Sequence, residues 1–108
     1  MEQKYNAYRF IRQAAARIGQ RFHPQKVILF GSYARGKPTP ESDIDFLIIF
    51  PDKKDSAKRY SAISQELEPR PFPMDLLIRS RQEIQDRLRK GDSFIREIVD
   101  RGKVLYES

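Results

Sequence analysis

Apolar positions along this chain follow first a helical period and then an alternating one. Over residues 3–22, Tyr8, Ile11, Ala15, Ile18 and Phe22 recur at spacings of three or four, which predicts an amphipathic helix with one buried stripe. Lys4, Arg9, Arg12, Arg17 and Arg21 occupy the rest of its surface, and Pro24 ends it. Lys26 to Phe30 is a short apolar run closed by Gly31, as expected of a buried strand. Gly31 to Gly36 reads as a turn, with one helical turn opening at Ser32. Pro38 and Pro40 keep residues 37–42 in a loop, because neither can join a regular backbone ladder.

Asp43 to Phe50 predicts a second strand. Asp43, Asp45, Leu47 and Ile49 point to one side of it, and Ile44, Phe46, Ile48 and Phe50 to the other. Apolar side chains on both faces imply a central strand covered on both sides. Asp55 to Leu67 predicts a helix that buries Ala57, Tyr60, Ile63 and Leu67. Pro69, Pro71 and Pro73 separate it from a third strand, Met74 to Arg79. Ser80 followed by Glu83 has the spacing of a capping box. Residues 80–101 should be helical on either side of Gly91, with Ile84, Leu88, Ile95 and Val99 buried. Gly102 stops that segment, and Lys103 to Tyr106 predicts an edge strand. The expected architecture is α/β (α+β in layout), a single domain over 1–108. A small mixed sheet has helices packed against it and a carboxylate-bearing strand near its middle.

Composition narrows the chemistry. A chain of 108 residues suits one domain, since domains typically run to about 100–150 residues. No apolar run approaches the ~20 residues that span a bilayer, so no membrane segment is expected. The first residues lack the apolar core of a signal peptide, which points to the cytoplasm. The absence of cysteine excludes disulfides, thiol nucleophiles and thiolate zinc sites. The one histidine, His23, stands beside Pro24 at a helix end and reads as a partly exposed loop residue. Chemistry here must therefore use carboxylates, hydroxyls and basic groups. The net charge of +6 is uneven: +7 over residues 1–40, −3 over 41–78 and +2 over 79–108. The basic first forty residues suit an acidic partner, nucleotide phosphates or nucleic acid, and equally a solvated helix face.

Two aspartates inside a strongly apolar strand are the most informative feature. At the rise of an extended strand, Asp43 and Asp45 project from one face with α-carbons ~6–7 Å apart. Two like charges beside apolar neighbours repel each other and lose hydration, a cost that a shared divalent cation removes. Oxygen ligands without thiolate or imidazole point to Mg²⁺ or Mn²⁺ rather than zinc. Asp75, among Met74, Leu76, Leu77 and Ile78, would complete a three-carboxylate cluster from a neighbouring strand. Gly31 and Ser32 supply a phosphate cradle, since glycine after a strand permits close backbone approach and the amides opening a helical turn attract an anion. Arg35, one helical turn on, adds a cation.

Together these residues resemble the signature of the DNA polymerase beta nucleotidyltransferase superfamily. Gly31-Ser32-Tyr33-Ala34-Arg35-Gly36 and Ser42-Asp43-Ile44-Asp45-Phe46-Leu47-Ile48 are similar to its minimal nucleotidyltransferases, the MNT domains. The end of the chain, Lys103 to Glu107, resembles their closing strand. The order of elements matches over nearly the whole chain, and the discriminating residues are 30–50 and Asp75. The proline-rich stretch 69–73 is less typical of the group. The resemblance implies a polymerase-beta-like fold and transfer of a nucleoside monophosphate from an NTP to an acceptor hydroxyl, with release of pyrophosphate. It implies that Asp43 and Asp45 hold the metal bound to the triphosphate. Asp75 would share a second metal and help deprotonate the acceptor, and Gly31 and Ser32 would bind the β- and γ-phosphates. Position alone adds Arg35 as a further phosphate contact.

The resemblance also implies a partner. Minimal nucleotidyltransferases are typically paired with a small helical HEPN protein in a hetero-oligomer. In the toxin–antitoxin version the MNT antitoxin moves AMP from ATP onto a tyrosine of the HEPN toxin. A chain this short has little room for an acceptor-binding domain, which agrees with a protein supplied in trans. Two other readings fit the same residues: transfer to a small molecule or RNA end with a separate substrate-binding subunit, and a non-catalytic module that neutralises its partner by contact. Direct nucleic-acid binding is less favoured than a protein partner.

Overall fold

In chain order, α1 (Glu2–Phe22), β1 (Lys26–Phe30), β2 (Ile44–Phe50), α2 (Ser56–Glu66), β3 (Met74–Ser80), α3 (Arg81–Arg89), α4 (Ser93–Arg101) and β4 (Lys103–Glu107) make up the computed structural model. It describes residues 2–108, with side chains from Ala7 onward, so the side chain of Lys4 lies outside the described residues. The strands form one mixed sheet in the order β3-β2-β1-β4. β1 is antiparallel to β2 and to β4, whereas β2 and β3 run parallel across the α2 connection. The expected α/β fold with a small mixed sheet is therefore present, and β4 is an edge strand.

The alternation of β2 separates two cores. Ile44, Phe46, Ile48 and Phe50 join Val27 and Leu29 of β1 beneath α1 and α2. Leu47 and Ile49 join Ile28 on the opposite face, beneath Ile84 of α3 and Ile95 and Ile98 of α4. Phe46, Leu47 and Ile48 are wholly buried, and each contributes about 1.5–3 kcal/mol through the apolar surface it removes from water. α1 lies close to its neighbours because much of its buried stripe is small: Ala7, Ala14 and Ala15 alternate with Ile11 and Ile18. Its outer face is not wholly free, since Arg17 and Arg21 reach Glu66 of α2 at 3.6 and 3.3 Å.

The structure corrects three expectations. β2 begins at Ile44, so Asp43 stands just before the strand rather than within it. Tyr60 is 46% exposed and Ala57 is also exposed, because α2 meets the core only through Ile63 and the following Leu67. Arg59 instead holds the first half of α2, pairing with Asp52 at 3.1 Å and stacking over Phe50. Val99 is exposed and Ile98 takes its place in the core. The helix breaks at Gly91, with a φ of 79°, and Asp92 caps a new one through the Ile95 amide; within it Ile98, three residues after Ile95, faces the sheet and Val99 does not. The capping box expected at Ser80 and Glu83 is formed.

Gly19 lies against the Tyr106 ring of β4, and a β-carbon there would fall 2.3 Å from Cδ2 of that ring. Helix propensity alone predicts that Gly19→Ala stabilises by about 1 kcal/mol. Overpacking reverses the sign, and the expected outcome is a loss of about 1–3 kcal/mol in urea unfolding. A higher midpoint for Gly19→Ala would show that Tyr106 swings aside at little cost.

Candidate active site

The site is built where β1 ends and β2 and β3 begin. Gly31, at a φ of 79°, turns the chain out of β1. Arg35 donates its amide to the Gly31 carbonyl at 3.1 Å, closing the single helical turn expected after the strand. The turn ends in a Schellman motif, in which the Lys37 amide donates to the Ser32 carbonyl and the Gly36 amide to the Tyr33 carbonyl, at 3.0 and 3.2 Å. Gly36 occupies the left-handed position such a motif requires, with a φ of 73°. The amides that open the turn have no earlier carbonyl to meet, which leaves them suited to an anion. Tyr8 of α1 anchors the turn from behind: its hydroxyl donates to the Tyr33 carbonyl at 2.8 Å, and the two rings meet edge to face.

The loop that follows returns the chain to Asp43. It is closed by reciprocal bonds, the Thr39 amide to Ser42 Oγ at 2.8 Å and the Ser42 amide to the Thr39 carbonyl at 3.0 Å. The Ile44 amide then donates to the Pro73 carbonyl at 2.9 Å, which starts the parallel ladder between β2 and β3. Pro73 cannot donate but can accept, so a proline is tolerated there. That first bond fixes the register, and Asp45 lies directly beside Asp75. On its other side Asp45 is opposite Phe30, the last residue of β1. A β-carbon at position 31 would meet Asp45 Oδ2, so a larger residue there would displace the Asp45 carboxylate as well as strain the backbone at a φ of 79°. Five of the six sequence-selected positions, Gly31, Ser32, Asp43, Asp45 and Asp75, thus gather at one end of the sheet. Arg35 joins them from the turn.

The electrostatics follow from this crowding. The Asp45 carboxyl is pushed up to about 6, first by burial, then by the charges of Asp75 and Asp43, against the opposing pull of Arg35. Among the described residues no group of three or more acidic or imidazole side chains stands converged on a single ion-binding point. Asp45 and Asp75 are register partners, with Asp43 two residues earlier in the chain.

A cleft of about 320 Å³ opens beside Asp45, between the Gly31–Arg35 turn and α4. Gly31, Arg35 and Asp45 line one part of it, and Phe94, Glu97 and Arg101 of α4 the other. Sequence reasoning missed the α4 residues. Phe94 carried one legible sign, an aromatic residue outside the apolar stripe of its own helix. Tyr8 was read as core alone, although a tyrosine in an apolar stripe needs a partner for its hydroxyl. The arrangement combines backbone amides, cations and clustered carboxylates in a small space, the components needed to hold a polyphosphate and a hard cation together.

The chain matches the nucleotidyltransferase domain family over residues 11–105. It is 34% identical over 82 residues to a Methanocaldococcus jannaschii protein named "Putative protein adenylyltransferase MJ0604", covering 76% of this chain and 78% of that protein. Its fold is similar to the crystal structure of a Sulfolobus solfataricus protein described as a "putative nucleotidyltransferase", with a TM-score of 0.59 and 23% identity over 80% of this chain and 77% of the other.

Two outcomes follow from this geometry. Because the Asp45 carboxyl lies above its ordinary value of 3.8, the native state binds a proton more readily than the unfolded chain. The ionised carboxylate therefore costs stability above about pH 6, and the cost fades as pH falls toward the unfolded value. Without divalent metal, Asp45→Asn should be the more stable protein near neutral pH, by up to about 1 kcal/mol, a figure reduced because the carboxylate still meets water. Urea unfolding from pH 4 to 8 checks this, and a gap that persisted undiminished at pH 4 would assign the effect to packing rather than charge. Tyr8→Phe keeps the ring contact but leaves the Tyr33 carbonyl with the Gly36 amide alone, and should cost about 0.5–1.5 kcal/mol in the same assay.

Proposed function

The chain belongs to the nucleotidyltransferase domain family, and on that premise we propose that it is a metal-dependent protein adenylyltransferase that moves AMP from ATP to a tyrosine of a HEPN-family partner. The observation that carries the reading is the register pair Asp45 and Asp75 set against Gly31. It sets carboxylates beside a turn whose free amides suit an anion, which supports the reading. The name of the Methanocaldococcus relative supports a protein as acceptor. The tyrosine and the HEPN partner rest on the resemblance of residues 31–36 and 42–48 to minimal nucleotidyltransferases. Part of the basic surface of α1 is already engaged, since Arg17 and Arg21 pair with Glu66, which weakens the case for nucleic acid.

The donor set suits a hard divalent cation. It offers carboxylate oxygens only, and Mg²⁺ commonly binds through one or two carboxylates and completes its shell with water and substrate phosphate. Burial first, and then the charges of Asp75 and Asp43, raise the Asp45 carboxyl, a cost that such an ion would relieve. Held by Asp43, Asp45 and Asp75, Mg²⁺ or Mn²⁺ would supply charge neutralisation at the phosphates and polarise the α-phosphorus.

The residues of the chain then have distinct tasks. The Gly31–Ser32 backbone and the Ser32 hydroxyl hold the β- and γ-phosphates, and Arg35 adds positive charge from the same turn. The acceptor hydroxyl oxygen forms a bond to the α-phosphorus as the bond to the bridging oxygen of the β-phosphate breaks. Pyrophosphate leaves, and the hydroxyl proton passes to Asp75. Catalysis of this kind depends on in-line positioning and charge stabilisation more than on covalent chemistry by the protein.

Incubation with Mg²⁺, ATP and the HEPN-family partner, followed by intact mass spectrometry, should show a gain of one or more AMP units on the partner. Asp43→Asn and Asp45→Asn should fold normally and transfer at least about a hundredfold more slowly, since loss of a direct metal ligand costs more than loss of a supporting contact. Wild-type turnover by folded Asp45→Asn would overturn the assignment. Modification of a small molecule or RNA end, with none on the partner, would keep the enzyme and replace the acceptor.

A further inference from the structure

The α4 wall of the cleft has no role in the reaction as proposed. Phe94, Glu97, Ile98 and Arg101 lie at helical spacings of three and four, so they share one face of α4. Ile98 is buried in the core, but Phe94 is 54% exposed. Its ring meets Phe30 nearly perpendicularly, at 82° and 5.8 Å between centroids. The contact fixes the ring's angle while half of its surface stays open. The core does not require this residue, because Ile95 and Ile98 already cover the sheet. Among the described residues Glu97 and Arg101 form no ion pair, although Arg96 and Asp100 on the same helix pair with each other.

The position of the cleft decides what it can hold. It opens on the β1 side of Asp45, and Asp75, on the β3 side, is not among its lining residues. A triphosphate on the Gly31–Arg35 turn, with its α-phosphorus near Asp45, has one reactive side toward Asp75. In-line attack from that side sends the pyrophosphate toward the turn, so the nucleoside leaves the α-phosphorus to the side of that axis, where α4 faces the turn across the cleft. The volume of about 320 Å³ is at the small end of ligand pockets, nearer to a nucleoside than to a macromolecular surface. Its walls carry an aromatic face, a carboxylate that can accept hydrogen bonds from sugar or base, and a guanidinium. From these observations we infer that the cleft under α4 is the nucleoside pocket, with Phe94 as the surface on which the base stacks. The inference rests on the proposed use of an NTP, and it makes Phe94 a binding residue for the nucleoside rather than for the phosphates.

Binding of ATP and of inorganic tripolyphosphate, each measured calorimetrically with Mg²⁺ and without acceptor, separates the two parts of the ligand. Phe94→Ala should weaken ATP by about tenfold or more, the usual worth of a base on an aromatic ring, and leave tripolyphosphate unchanged. Phe94→Tyr should bind ATP like the wild type, because it restores a stacking face. Unchanged ATP affinity in Phe94→Ala would overturn the inference and move Phe94 to acceptor docking. So would equal weakening of both ligands, or a Tyr variant as weak as the Ala variant. Wild-type protein that bound neither ligand would instead fail the nucleotidyl-transfer reading itself, and the pocket assignment with it.

Discussion

Carboxylates at register-paired positions on neighbouring parallel strands repel each other, and that repulsion grows as the strands are buried. Asp45 carries this burden, paired beside Asp75 and two residues from Asp43, at the start of a strand whose next five residues are all buried. Much of the local structure either imposes the crowding or partly relieves it. The Pro73 carbonyl sets the register, and the missing side chain at Gly31 leaves room for an Asp45 oxygen. Arg35, brought round by a turn that Gly36 terminates, supplies the opposing charge. Burial first, and then the charges of Asp75 and Asp43, still hold the Asp45 carboxyl above its ordinary value. A site that keeps unneutralised charge when empty stores binding energy for a cation or a polyphosphate bridged by one.

Holding that charge in place requires a rigid frame, and the two cores provide it on opposite sides of β2. The α1 and α2 side is packed by alanines, isoleucines and Phe46, and it reaches the site through Tyr33 and Ala34 of the turn, with the Tyr8 hydroxyl on the Tyr33 carbonyl. The α3 and α4 side is a smaller cluster, and it meets the site through Phe30, the register partner of Asp45, and Ile98 at the floor of the cleft. The stability lost at Asp45 is small beside what the β2 side chains contribute, so the fold tolerates it, as strained functional sites generally require.

Much of this was legible in the sequence because local rules and tertiary demands agree here. Both faces of β2 were readable from Ile44 to Phe50. The turn after β1 announced itself through Gly31 and Gly36, the cap through Ser80 and Glu83, and the two-part C-terminal helix through Gly91. Where the reading failed, periodicity left a choice open or ran past the end of a contact. Ile98 and Val99 stand three and four residues after Ile95, either spacing suits one helical stripe, and packing turns Ile98 inward. Tyr60 fitted the stripe of α2, but α2 touches the core only near its end. The carboxylates were legible as residue types. That Asp75 falls beside Asp45 rather than one pleat away depends on the pairing register, which periodicity within a strand does not contain. The α4 wall was invisible because neither Phe94 nor Glu97 belongs to a motif, and only their position across from Gly31 gives them meaning.

The sheet order gives the site a direction. β3 is an edge strand, so the Asp75 side of the carboxylate pair opens toward the margin of the molecule, whereas the Asp45 side is walled by the Gly31 turn and α4. In the proposed reaction a small nucleotide occupies the side with the open cleft, between the turn and α4, and the acceptor approaches from the edge. A protein acceptor needs only that a hydroxyl on its own surface reach Asp75, and Asp75 is exposed on its edge strand, as the proposed reaction requires.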